Sequence, residues 1–271
     1  MNKKTIQLLQ IGNIIAVILT IIVNGLANAL PIAGKSTGEL SDNIPNLFVP
    51  TGLTFSIWGV IYVLIIVFAI YLAQDLFKSK KITTPFIEKI SFYFILASIA
   101  NITWIFLWHY EQIIASLLAM LVLFVSLLMI YLRLNIGKES LELKEKLCIH
   151  VPISVYIGWI TVATIANVTA VLVTISWDGF GISQEMWTMA LIAIATLLTI
   201  IVILTRKDYA YTAVILWALF GIYLKRMSAD PMFGVKMEIA NTALGGIIIL
   251  IIISIISLLM NPDLLSKKRK G

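Results

Sequence analysis

The chain has 271 residues, 60% of them apolar and 13% charged, with a mean hydropathy of +1.00. Soluble domains are near half apolar and a quarter charged, so these proportions exclude a soluble enzyme and specify an all-α polytopic membrane protein. The net charge of +6 sits in short loops and at the termini, where it sets orientation and does not recruit nucleic acid.

Eight transmembrane helices are predicted in chain order. Helix 1 runs from about Thr5 to Ala33, behind Lys3 and Lys4. Its Ala27-Asn28-Ala29 imitates a signal-peptidase site, but the apolar run ahead of it is longer than a signal h-region, so it reads as a retained span. Asn24 and Asn28 share a face, and Pro31 and Gly34 end the helix. A polar loop from Lys35 to Pro50 leads to helix 2, about Thr51 to Leu76. On it Thr51, Phe55, Trp58 and Tyr62 form a stripe about 60° wide. The following loop carries Lys78, Lys80, Lys81 and Lys89.

Helix 3, about Ile90 to His109, holds Asn101, Trp104 and Trp108 on one side. A tight turn connects it to helix 4, about Ile113 to Leu134, and Arg133, Lys138, Lys144 and Lys146 mark the next loop. Helix 5 lies in the uncharged run from Leu147 to Trp177. Pro152, Tyr156, Trp159, Ala163 and Asn167 fall within about 80° of one another there. After an acidic, glycine-rich loop come helix 6 (about Met186 to Thr205), helix 7 (about Ala210 to Leu224) and helix 8 (about Ile239 to Met260). Gly245-Gly246 suits close packing of helix 8. The chain ends in a basic tail, Lys267 to Lys270.

Eight spans put both termini on one side, together with the clusters near Lys3, Lys80, Lys144, Arg206 and Lys268. Cytoplasmic termini are therefore expected. Lys225, Arg226 and Lys236 fall on the opposite side, either as a tolerated exception or as a site for an external anion.

Lipid rewards neither an amide nor the polar edge of an indole, so the stripes on helices 2, 3 and 5 are expected to face inward. Two readings stay open for the asparagines: bonds between helices, or the lining of a cavity. Catalytic constellations are weak. No acid lies in the middle of a helix, which removes paired-carboxylate hydrolysis and a midmembrane proton carrier. His150 and Ser154 are four apart but lack an orienting third group. His109 sits at a helix end, where it is a weak candidate for a haem ligand. One cysteine, Cys148, excludes an intrachain disulfide, and two histidines without clustered carboxylates argue against a metal site. No resident cofactor is expected.

The same residues resemble the tryptophan-rich sensory protein family, also called the translocator protein or peripheral benzodiazepine receptor family. Pro50, Gly52, Phe55, Trp58 and Tyr62 are similar to its second helix. Asn101 and Trp104 are similar to its third, and Pro152, Trp159, Ala163 and Asn167 to its fifth. Phe55 and Trp58 stand three apart where the family has four. Leu53 replaces a tryptophan, and helix 4 offers Ser116 and Met120 where the family has tryptophan and aspartate.

The resemblance covers roughly residues 8 to 176 and implies a five-helix bundle around a pocket for porphyrins or similar flat apolar ligands. Phe55, Trp58, Asn101, Trp104, Trp159, Ala163 and Asn167 would line or support that pocket, with Tyr62 and Tyr156 beside them on the same stripes. Residues 177–271 then form a three-helix extension with a basic tail, which is expected to occupy the surface through which short members form homodimers. Three functions follow: a binding protein or sensor for a tetrapyrrole-like molecule, a transporter of such a molecule, or an enzyme that degrades a bound pigment. The expected partners are a hydrophobic small molecule, membrane lipid and a second copy of the chain.

Overall fold

The computed structural model describes residues 1–29, 32–78, 82–139 and 141–260. Pro31, Lys80, Lys81, the tail from Lys267 to Lys270 and the side chains of Asn28 and Ala33 lie outside the described residues. Among the described residues every regular element is a helix. Among the described residues seven helices are long and apolar enough to cross a membrane, or eight if one bent pair is a single span. The expected all-α polytopic architecture is therefore the observed one.

The chain forms two compact units, one of residues 1–46 and 55–177, the other of residues 47–54 and 178–271. The first contains α1 (Lys3–Ala29), α2 (Thr37–Asn43), α3 (Ile57–Ala73), α4 (Thr84–Ile90), α5 (Tyr93–His109), α6 (Ile113–Arg133), the single turn α7 (Leu143–Glu145) and α8 (Val151–Thr174). A π-helical turn, Lys146–His150, joins α7 to α8. Helix α5 packs on α1 and α6, while α8 packs on α6 and α3. Gly12 of α1 has the Ile95 side chain so close that an added Cβ would lie 2.7 Å from its Cδ1, so the small residue sets how near α1 approaches α5.

Three features depart from the sequence reading. The loop from Lys35 to Pro50 contains α2, started by a capping box in which Ser36 Oγ accepts from the Glu39 amide and the Glu39 carboxylate accepts from the Ser36 amide. The Ser-x-x-Glu spacing was its sequence signal. Ser36→Ala should cost about 1 kcal/mol locally, seen as faster hydrogen exchange in residues 37–43; unchanged exchange would show that the cap does not hold α2.

Helix 3 is a bent pair. Proline near its N-terminus starts α4, Ser91 adopts φ 52°, and α5 leaves at 49° to α4. Helix 2 also starts later than expected. Residues Gly52–Ser56 form a 3-10 turn, and the regular helix begins at Ile57. Thr51 therefore does not share an α-helical stripe with Trp58.

The second unit contains α9 (Gln184–Arg206), α10 (Tyr209–Met227) and α11 (Met237–Leu259), with α11 against both others. Gly246 is the close-packing glycine of the pair: an added Cβ would meet Thr196 Oγ1 at 2.8 Å, whereas Gly245 has nothing within 4 Å. Two of the cations that broke the charge pattern have carboxylate partners. Arg226 is fully buried and bonds Asp230 at 3.0 Å, and Lys236 bonds Glu185 at 2.7 Å. Burial opposes charge on Asp230, but the Met232 and Phe233 amides and the Arg226 and Lys225 charges hold its carboxyl below the usual range. Arg226 and Lys236 thus have their counter-ions within the chain.

Candidate functional site

The α3 and α8 stripes meet inside the first unit. Trp58 stacks on Tyr62 with centroids 5.7 Å apart, and its ring meets Tyr156 at 6.1 Å and Trp159 at 6.3 Å, both edge-on. Phe55, at the end of the 3-10 turn, packs edge-on against Trp159 at 5.8 Å. The spacing explains the grouping: Trp58 and Tyr62 are one turn apart on α3, as are Tyr156 and Trp159 on α8. Edge-to-face geometry places positive ring edges on negative ring faces.

Burial within the cluster is uneven. Tyr156 and Trp159 are 2% and 3% exposed, while Phe55, Trp58 and Tyr62 are half-buried. Neither Tyr156 Oη nor Trp159 Nε1 has a hydrogen-bond partner among the described residues. A buried polar atom without a partner forfeits on the order of 1–3 kcal/mol, and native interiors contain few of them. Ala163 follows Trp159 by one turn and is half-buried.

The remaining predicted residues belong to two other groups. Trp104 Nε1 donates to Asn167 Oδ1 at 2.9 Å, Asn167 Nδ2 donates to Ser116 Oγ at 3.1 Å, and Ser116 Oγ donates to the Ile113 carbonyl at 2.7 Å. This chain links α5, α8 and α6 and fixes the Trp104 ring, which stacks on Trp108 at 5.6 Å. Ser116 thus supplies the partner that lets Asn167 remain buried. Asn101 turns instead toward α1, where its Oδ1 accepts from Asn24 Nδ2 at 2.6 Å. The predicted residues therefore fall into three groups; Asn101 and the Trp104–Asn167 pair make hydrogen bonds between helices. His109 has its ring occupied from both edges, with Nε2 3.0 Å from Thr37 Oγ1 and Nδ1 3.0 Å from the Ile32 carbonyl. That removes it as a haem ligand in this conformation.

Two recesses of the first unit lie apart from the aromatic cluster. One, of about 590 Å³, is an apolar groove between α1 and α3. The other, of about 460 Å³, is lined by Trp108 and by the ion-paired Lys35 and Glu111.

The sequence reading missed a polar seam on α1. Gln10, Asn13, Thr20 and Asn24 fall within about 80° of helical arc, and each is at most 1% exposed. Both amide atoms of Asn13, Thr20 Oγ1 and Asn101 Nδ2 have no partner among the described residues. At one end of the seam Gln10 Nε2 donates to Asp75 Oδ1 at 2.6 Å. The other Asp75 oxygen accepts from the Ile82 and Thr83 amides at 2.6 and 2.9 Å, and Thr83 Oγ1 donates to Oδ1 at 2.9 Å. Burial would raise the Asp75 pKa, but the bonds from Thr83, Gln10 and Ile82 outweigh it and hold the carboxyl below its usual range. The seam was visible as four polar residues at helical spacing in an apolar run; Asp75 was visible as an acid at a helix end.

The family model described as TSPO-like protein matches residues 10–256. The match runs past residue 176, where the sequence resemblance ended, and takes in α9, α10 and nearly all of α11. No curated protein matched the chain, and no solved structure matched it.

Proposed function

We propose, for a chain that belongs to the TSPO-like protein family, a membrane binding protein or sensor whose ligand is a hydrophobic planar molecule of the porphyrin class. The observation that supports this best is a pair of buried polar atoms, Tyr156 Oη and Trp159 Nε1, that have no hydrogen-bond partner among the described residues, inside a cluster whose other rings are half-buried. Aromatic walls supply apolar area, and a few polar groups fix orientation in such sites. A ligand carboxylate or ring nitrogen would accept from the two orphaned donors.

In this reading Phe55, Trp58, Tyr62, Tyr156 and Trp159 touch the ligand. Ala163 leaves room one turn beyond Trp159, and Asn101, Trp104 and Asn167 hold the helices that carry the rings. Ligand binding shifts the population of helix arrangements, and that shift is the signal. Residues 1–176 are the binding bundle and residues 177–271 a C-terminal membrane extension, with both termini on the cytoplasmic side as the loop charges indicate.

Titrating protoporphyrin IX into the purified protein in lipid nanodiscs should quench tryptophan emission saturably. A quench that only rises linearly with porphyrin, as partition into lipid does, would remove this function.

A further inference from the structure

Helices α1 and α3 are both long and apolar enough to cross a membrane, and the groove of about 590 Å³ between them shares no residue with the aromatic cluster. Its lining runs from Ile14 to Ile22 on α1 and from Ile66 to Gln74, the C-cap of α3. Val17 and Ala69 are buried and form its floor, while Ile18, Ile22, Ile66 and Ile70 stay 40–65% exposed along its rims. Every lining side chain is apolar except that of Gln74. In a bilayer such a groove meets acyl chains. Lipid tails are as apolar as the groove, so burial alone gives it no preference among lipids.

Charge supplies a preference at one end. Gln7 Nε2 donates to the Leu76 carbonyl at 3.1 Å, so the N-terminus of α1 lies beside the C-terminal end of α3, where Gln74 marks the end of the groove. Lys3, Gln7, Ile14, Ile18 and Ile21 fall within about 60° of helical arc. That sets Lys3 on the face of α1 that lines the groove, with Lys4 next to it. Lys78 stands four residues past Gln74. All three lysines are exposed, and none makes an ion pair among the described residues. The neighbouring acids are already engaged: Asp75 accepts from Gln10, Ile82 and Thr83, and Glu88 pairs with the Met1 amine.

We propose that this groove is a binding site for one anionic phospholipid: an acyl chain lies between α1 and α3, and the phosphate reaches Lys3, Lys4 and Lys78. The Gln74 amide offers a donor to a glycerol ester carbonyl. Each cation near a membrane surface strengthens the hold on an anionic lipid about fivefold. Three of them give a preference over a zwitterionic lipid on the order of 100-fold. The site is separate from the aromatic cluster, so its outcome does not depend on porphyrin binding.

The test uses the full chain in nanodiscs of phosphatidylcholine with a small share of phosphatidylglycerol. Native mass spectrometry counts the lipids retained, and a phosphatidylglycerol spin-labelled in its acyl chain reports whether that chain is held. The wild type should retain one phosphatidylglycerol far above its share in the disc and immobilise its chain. Lys3→Gln, Lys4→Gln and Lys78→Gln should each lower the preference over phosphatidylcholine about fivefold, and the triple variant should abolish it. Ala73→Phe keeps the lysines and fills the groove; it should lower phosphatidylglycerol retention about tenfold and free the labelled chain. Ile70→Trp, on the exposed rim, stands in if Ala73→Phe does not fold. Equal retention of the two lipids by the wild type would overturn the site, as would an undiminished preference in the triple lysine variant. Wild-type retention by a folded, groove-filled variant would also overturn it, leaving only surface attraction to the lysines.

Discussion

Tyr156→Phe is expected to leave the unliganded protein at least as stable as the wild type and to weaken porphyrin binding about tenfold, near 1.4 kcal/mol. The two effects have one cause. The Tyr156 hydroxyl is buried and has no partner among the described residues, so removing it from the free protein relieves an unmet hydrogen bond. If the ligand supplies the acceptor, the same deletion costs affinity. Trp159→Ala should be more severe, because a buried indole at the centre of a binding site commonly contributes 2–4 kcal/mol, or a loss of about 30- to 1,000-fold. Trp159 packs on Phe55 and Trp58, so its truncation also loosens the fold; Trp159→Phe keeps most of the packing and tests the indole donor separately. Thermal midpoints and porphyrin titrations on the three variants separate stability from recognition. A Tyr156→Phe protein that melts several degrees lower with unchanged affinity would mean that the hydroxyl serves the fold.

Asp75→Asn should destabilise the protein by on the order of 3 kcal/mol, since the Ile82 and Thr83 amides and the Thr83 hydroxyl all donate to the carboxylate and an amide nitrogen would face donors with another donor. The pH dependence follows from the direction of the shift. The Asp75 carboxyl is held below its usual range, so its stabilising contribution is complete above the unfolded value of about 3.9. It is lost as pH falls from there through the lower folded value. Thermal melts of wild type between pH 7 and pH 3 should show a decline below about pH 4, and the Asn variant should lack that part of it. Parallel curves for the two proteins would show that Asp75 does not titrate as argued.

Much of the fold was legible because a bilayer demands long apolar helices, and those are plain in a single sequence. The α8 stripe is an example. Tyr156 and Trp159 were placed on one face by periodicity alone, and they do meet Trp58. Asn101 was read on the same grounds and went elsewhere: its partner, Asn24, is 77 residues away, and helical spacing gives a face but not the helix opposite it. The α1 seam was missed for a simpler reason. Its four polar residues are spread over fifteen positions of a strongly apolar helix, where average hydropathy hides them.

By itself the sequence determined the membrane class, the approximate spans and the faces that carry aromatic and amide groups, because each follows from local spacing and from the expense of polar groups in lipid. Only the tertiary structure decided which faces pair, that Trp104 donates to Asn167, that Tyr156 and Trp159 keep polar atoms without a partner among the described residues, and that the residues just before Phe55 belong with α10. Those outcomes depend on contacts between residues far apart in the chain. There the shape of one helix surface selects its neighbour, and a single missing Cβ, as at Gly12, decides how closely a distant segment can lie.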